Sequence, residues 1–167
     1  MIDKNDILDE FNLRLFDESY QRIYKCLTLI NEEQLWDSPN EKIPSIGNLI
    51  LHLCGNARQW VLSGLRDLPD NRNRDDEFLP HRELKKENLI LLMENLKGEL
   101  LKQMPLLSGQ VFQEKKIIQG FEVTGYSAIS HVIEHFSYHT GQITLLAKLY
   151  SEKETDYYSE SNLNVKN

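Results

Sequence analysis

Apolar residues recur along this chain at three- and four-residue steps in four long segments, the repeat of a helix with one buried face. In the first, from about Asn5 to Ile30, the stripe is Leu8, Phe11, Leu15, Phe16, Ile23, Leu27 and Ile30. The second starts near Ser45 and runs to about Leu65, with Ile46, Leu49, Ile50, Leu53, Ala57, Trp60 and Val61. Pro44-Ser45 supplies its stop-then-cap signal. The third, from about Arg82 to Met104, carries Leu84, Leu89, Leu92, Met93, Leu96 and Leu100 and stops before Pro105. The fourth runs from about Ser127, a plausible N-cap after Gly125, to Ser151. Its inner face is Ile129, Val132, Ile133, Phe136, Ile143, Leu146, Ala147 and Tyr150.

Three connections join these segments. Asn31 to Pro44 includes Asn31-Glu32-Glu33-Gln34-Leu35-Trp36, long enough for a helical turn. Arg66 to His81 is rich in Asp, Asn and Arg and reads as a polar surface loop. Leu106 to Gly125 contains a small hairpin pattern around Gln119-Gly120. Four amphipathic helices with moderate loops bury their faces best as one all-α four-helix bundle. The long third connection permits a crossover rather than a simple up-down order. No internal repeat or linker divides the chain, so residues 1–151 are expected to form one domain. The polar tail 152–167 lacks a pattern and is expected to be disordered.

Composition narrows the function classes. A chain of 167 residues, 40% hydrophobic and 27% charged, suits a soluble globular fold. A net charge of −7 argues against nucleic-acid binding and against docking on an anionic membrane. No apolar run approaches the roughly 20 residues that span a bilayer. Met1 to Asp6 is polar and acidic, unlike a signal peptide, and the cytoplasm is the expected compartment. Cys26 and Cys54 are too few for a disulfide framework and form no CxxC pair, so both read as core residues.

Five histidines remain. His131, His135 and His139 follow one another at four-residue steps in the fourth helix. Such a step rotates a side chain by only ~40° and raises it ~6 Å, so consecutive histidines share a face and can close on one ion. The outer two lie ~12 Å apart along the axis and cannot easily do so together. Measured from the centre of the apolar stripe, His139 lies ~50° away, His135 ~90° and His131 ~130°. His135 and His139 are therefore the pair nearest a bundle cavity, and His131 points mostly outward. Gly141 removes a side chain beside them. A pair is an incomplete site, because catalytic zinc sites use three protein ligands and keep one position open. His52 on the second helix is the candidate third ligand, although it lies well off the centre of its own stripe. His81 falls in the polar loop and reads as a surface residue. His131-Val132-Ile133-Glu134-His135 also matches the H-x-x-E-H string of inverted zinc peptidases. Those enzymes are much larger and need a further acidic ligand downstream.

Two stretches resemble the DinB/YfiT-like superfamily of metalloenzymes. One is Ser45-Ile46-Gly47-Asn48-Leu49 through His52-Leu53 and Gly55-Asn56 to Trp60; the other is Glu134-His135-Phe136-Ser137-Tyr138-His139-Thr140-Gly141-Gln142-Ile143. Order, separation and helix pattern match over most of residues 1–150, and Arg72-Asn73-Arg74-Asp75-Asp76-Glu77-Phe78 resembles the loop of one uncharacterised branch. The resemblance implies that His52, His135 and His139 hold one divalent ion, zinc or nickel. Some members of the superfamily transfer small thiols of the bacillithiol or mycothiol kind, so the resemblance implies S-transfer; hydrolysis by a metal-bound water is the other reaction that such an ion would support. The family pattern often has Arg where Thr140 stands, which leaves open any substrate contact made there. Tyr138, Gln142, Asn56 and Glu134 are the candidates for supporting the ligands or orienting a small-molecule substrate. A non-catalytic metal- or ligand-binding module is the alternative, and a homodimer is the expected assembly.

Overall fold

The computed structural model describes residues 3–159 and 161–165. Helix α1 spans residues 4–29, α-helical over Lys4–Asn12 and Gln21–Leu29 with the π-helical stretch Leu13–Tyr20 between them. The Asp3 side chain caps its start by accepting from the backbone of Asn5 and Asp6. The helical turn expected in the first connection is α2, Glu32–Trp36, closed by a reciprocal Asn31–Gln34 capping box. Helix α3 covers residues 46–63: Ile46–Ala57 is α-helical and Arg58–Ser63 is π-helical. Ser45 and Asn48 form its capping box. Helix α4 is Lys86–Gln103 and α5 is Gly125–Ser151.

Two starts differ from expectation. Residues 82–84 remain in a turn closed by Leu84 N–H on the His81 carbonyl, so α4 begins later. The cap of α5 is Thr124, whose hydroxyl accepts from Ser127 N–H, and the helix begins two residues before Ser127. The expected hairpin forms: β1 (Lys115–Ile118) pairs antiparallel with β2 (Phe121–Thr124), Lys115 opposite Thr124 and Ile118 opposite Phe121. Gln119 and Gly120 both take positive φ, 51° and 82°, as a two-residue hairpin turn of type I′ requires.

The four long helices share one core, as expected of an all-α bundle. Phe11, Leu15, Tyr20 and Ile23 of α1 meet Ile50, Leu53 and Ala57 of α3, Leu89, Met93 and Leu100 of α4, and Val132, Phe136 and Ile143 of α5. Helix α5 packs on both α1 and α3, and α3 packs on α4. The Tyr20 hydroxyl closes the ring by donating to the Met93 carbonyl, 3.2 Å. Cys26 and Cys54 lie in this core as free thiols, and burial pushes the Cys54 thiol up to about 12, which makes it a poor nucleophile. No described helix is long and apolar enough to cross a membrane.

Part of the tail is docked rather than disordered. Thr155 is buried. The Tyr157 hydroxyl lies 3.0 Å from Cys26 Sγ and 2.8 Å from Thr144 Oγ1, and the Tyr158 hydroxyl accepts from Arg22, 2.8 Å. A tyrosine can bury its ring while its hydroxyl finds partners, a signal that polarity alone hides. Glu160, Lys166 and Asn167 of the expected tail lie outside the described residues.

Candidate metal centre

The candidate centre lies where α3 faces α5. His52 is buried, and His135 and His139 are half-buried. One ring nitrogen from each lies within 4.8 Å of the others. Two nitrogens on one tetrahedral ion at about 2.0–2.1 Å would be about 3.4 Å apart, so roughly an ångström of side-chain movement suffices. His52 Nε2 and His135 Nε2 are already 3.0 Å apart. These three histidines lie close together and could bind a metal.

Why His52 turns inward follows from the burial of α3. Ten of its first twelve residues, from Ile46 to Ala57, are buried, including Asn48 and Asn56. On a helix enclosed nearly all round, distance from the stripe centre carries little information about which side chains face inward. On α5, which keeps an exposed face, the stripe picks out His135 and His139, both half-buried, as the pair that meets His52.

The other nitrogen of His52 and of His139 is tied, and those ties set the tautomers. His52 Nδ1 is 2.8 Å from Glu77 Oε2. The Arg72 Nη2 donor also lies 3.2 Å from this nitrogen but makes its shorter bond, 2.8 Å, to Glu77 Oε2. An ionised carboxylate only accepts, so Nδ1 carries the proton toward it and Nε2 keeps its lone pair. His139 Nδ1–H donates to Gln142 Oε1, 2.6 Å, which again leaves Nε2 free. Burial first, and then the neighbouring imidazoles, lowers His135 to about 3. Burial also lowers His139, against the opposing hydrogen bond from Gln142. The half-buried rings thus favour the neutral form, which is the form that ligates.

Arg72 and Glu77 were missed by the sequence reading. Arg72 Nε donates to Glu77 Oε1 at 2.6 Å and Nη2 donates to Oε2 at 2.8 Å. Both side chains are buried, 4% and 9% exposed, although they belong to the stretch expected to be a surface loop. Burial raises the Glu77 carboxyl, but the hydrogen bonds and charge of Arg72, with the bond from His52, outweigh it and hold it below the usual range. A Cβ at Gly55 would stand 2.0 Å from Glu77 Oε1, so a glycine one turn after His52 admits this carboxylate. That glycine, with the Arg72 to Phe78 stretch, was the only sequence signal for it.

The remaining candidates divide. Gln142 supports His139 directly. The Tyr138 ring meets His139 edge-on at 5.0 Å and is 65% exposed, at the rim of the site. Glu134 is exposed and lines a cleft of about 500 Å³ with Arg14, Glu18 and Arg22. No hydrogen bond links it to the three histidines among the described residues. Asn56 is buried, its Nδ2 3.3 Å from His131 Nε2 and its Oδ1 unpaired among the described residues. Thr140 is buried on the inner face of α5. His131 corrects the expectation that it points outward. It is half-buried, stacked on Trp60 at 3.9 Å and on His135 at 5.3 Å. The flat indole on the π-helical end of α3 covers it, a neighbour that the phase of α5 does not register. His81 stays in the loop, half-buried, near the Asp76 carbonyl at 2.9 Å.

A family model described as "Protein of unknown function (DUF1572)" matches residues 5–161. No curated protein matches the chain.

Proposed function

We propose that this chain, which belongs to the DUF1572 family of proteins of unknown function, is a divalent-metal-dependent enzyme of the DinB/YfiT-like kind that transfers a small thiol or hydrolyses its substrate. The observation that carries the reading is the convergence of three imidazole nitrogens within 4.8 Å, from α3 and α5. Two of the three rings have their tautomers fixed by Glu77 and Gln142. The donor set fits zinc or nickel, since imidazole suits both. When bound, such an ion supplies a Lewis-acidic position that makes a thiol or water nucleophilic near neutral pH.

The residues of the chain would hold the reaction around that position. Three neutral imidazoles leave the charge of a divalent ion uncancelled, and Arg72 offsets Glu77, so the site favours an anionic partner such as a thiolate. Asn56, buried one helical turn from His52 with its Oδ1 unpaired among the described residues, would accept a hydrogen bond from a substrate group. Tyr138 at the rim would lie along the substrate. Neither thiol of the chain competes as nucleophile, because burial raises both Cys26 and Cys54.

The test begins with metal content. Purified protein is expected to carry one zinc or nickel per chain, and His139→Ala to lose it with its helical content intact. Loaded protein is then incubated with bacillithiol-like thiols and electrophiles. Metal-dependent thiol consumption supports transfer, and metal-dependent ester or amide cleavage supports hydrolysis. Stoichiometric metal with neither activity favours a non-catalytic binding module. Protein that takes up no divalent ion ends the proposal.

A further inference from the structure

The inference rests on the three-histidine reading. We propose that Glu77 and Arg72 act as a clamp linking occupation of the ion site to closure of the loop 66–81 on α3, with Glu77 as the positioning residue for His52.

Arg72 Nη2 lies 3.2 Å from His52 Nδ1, but the shorter contact to that nitrogen, 2.8 Å, is made by Glu77. Its second oxygen is not free. The Arg72 guanidinium takes both carboxylate oxygens in a fork, and its Nη1 donates to Gln59 Oε1 on α3, 2.9 Å. Gln59 Nε2 in turn donates to Asp70 Oδ2 at 2.7 Å, and Asp70 Oδ1 accepts from the Arg72 backbone, 3.1 Å. Asn48, at the start of α3, donates through Nδ2 to the carbonyls of Glu77 and Leu79, 2.9 and 2.8 Å. Phe78 sets its ring 5.0 Å from that of His52. The loop is therefore fastened to α3 above and below the one ligand that α3 contributes.

A plain loop anchor would explain the ion pair but not its position. A buried ion pair is weak support for stability, since apolar replacements often serve as well. Here the carboxylate sits on the nitrogen opposite the one that faces His135. Partners of that kind orient a ligand and raise its basicity. Any gain in ion affinity from the closed loop must be returned as a gain in loop closure from the bound ion, because coupling is reciprocal.

The experiment titrates zinc alone against a competing chelator into metal-free full-length protein. Amide exchange over residues 66–81 is followed with and without zinc, and folding is followed by circular dichroism. Glu77→Ala should weaken zinc by about 10–100-fold, and Glu77→Gln by less, because the amide oxygen still accepts from Nδ1. Arg72→Met/Glu77→Gln removes both charges and covers the case in which Glu77→Ala does not fold. Its zinc affinity should also fall. In the native sequence zinc should slow exchange over the loop, and Glu77→Ala should lose that effect. Native affinity in all three variants overturns the clamp while leaving the ion site standing. Weakened zinc with loop exchange unaffected by zinc in the native chain overturns the coupling. Native protein that binds no zinc overturns both the ion site and the clamp.

Discussion

His52 and His139 turn the same nitrogen toward the same point, but they are held there in opposite ways. His139 is steadied by Gln142, a neutral amide three residues along its own helix, 2.6 Å away. His52 is steadied by a carboxylate 25 residues away, itself gripped by a buried guanidinium. The first arrangement is local and comes with the helix, since positions three apart lie side by side. The second needs a loop to fold back and bury two charges. One ligand is thus ready whenever α5 forms, and the other depends on tertiary structure.

Removing either imidazole should erase that asymmetry and give the largest effect. His52→Ala and His139→Ala should both lose stoichiometric metal by elemental analysis, a loss exceeding the roughly 10–100-fold that a supporting partner contributes. Next, Arg72→Ala should expose the asymmetry in stability. It strands a buried carboxylate, which costs about 3–5 kcal/mol by urea denaturation. Native stability for this variant would show that the loop side is no more demanding than the Gln142 side. Gly55→Ala, whose Cβ would collide with Glu77, should cost about 1–3 kcal/mol and weaken zinc toward the range of the Glu77 variants. Gln142→Ala should be milder, near the lower limit of about 10-fold, with stability almost unchanged. Equal losses for Gly55→Ala and Gln142→Ala would abolish the contrast.

Acid should act on the shared feature. His135 is lowered to about 3 in the folded chain, and His131 and His139 are lowered too. The unfolded chain takes up these protons near pH 6.5. Between the two values the unfolded state binds more protons, so stability rises with pH there. The metal-free protein should therefore hold its full stability above about pH 6.5 and lose it progressively as pH falls toward about 3, read as a falling urea midpoint. A midpoint independent of pH over that window would contradict the lowered values.

The contrast also marks what the sequence made legible. The α5 half was readable because its ligands and their support share one helix, and the repeat of apolar residues fixes the helical phase. The four helices and the hairpin were readable for the same reason: caps, alternation and a Gln119-Gly120 turn are local. On α3 the phase failed, since Asn48, His52 and Asn56 are buried beside the apolar residues. The loop failed more completely. Arg72 and Glu77 read as solvated charge, and only a long-range ion pair makes them interior. His131 was misread because its neighbour, Trp60, belongs to another helix. Each miss is a side chain whose environment is set by a residue distant in sequence.

The stack of Trp60 on His131 and of His131 on His135 places an indole two rings from the candidate ion position. The chain has only one other tryptophan, Trp36, whose Nε1–H is held by the Leu84 carbonyl and whose ring meets that of His81. The native emission of Trp60 is therefore a built-in optical gauge of occupancy: replacing Trp36 with phenylalanine would leave a single tryptophan, excited apart from the seven tyrosines at the red edge of its absorption, that dims as an open-shell ion such as nickel arrives, with no label attached.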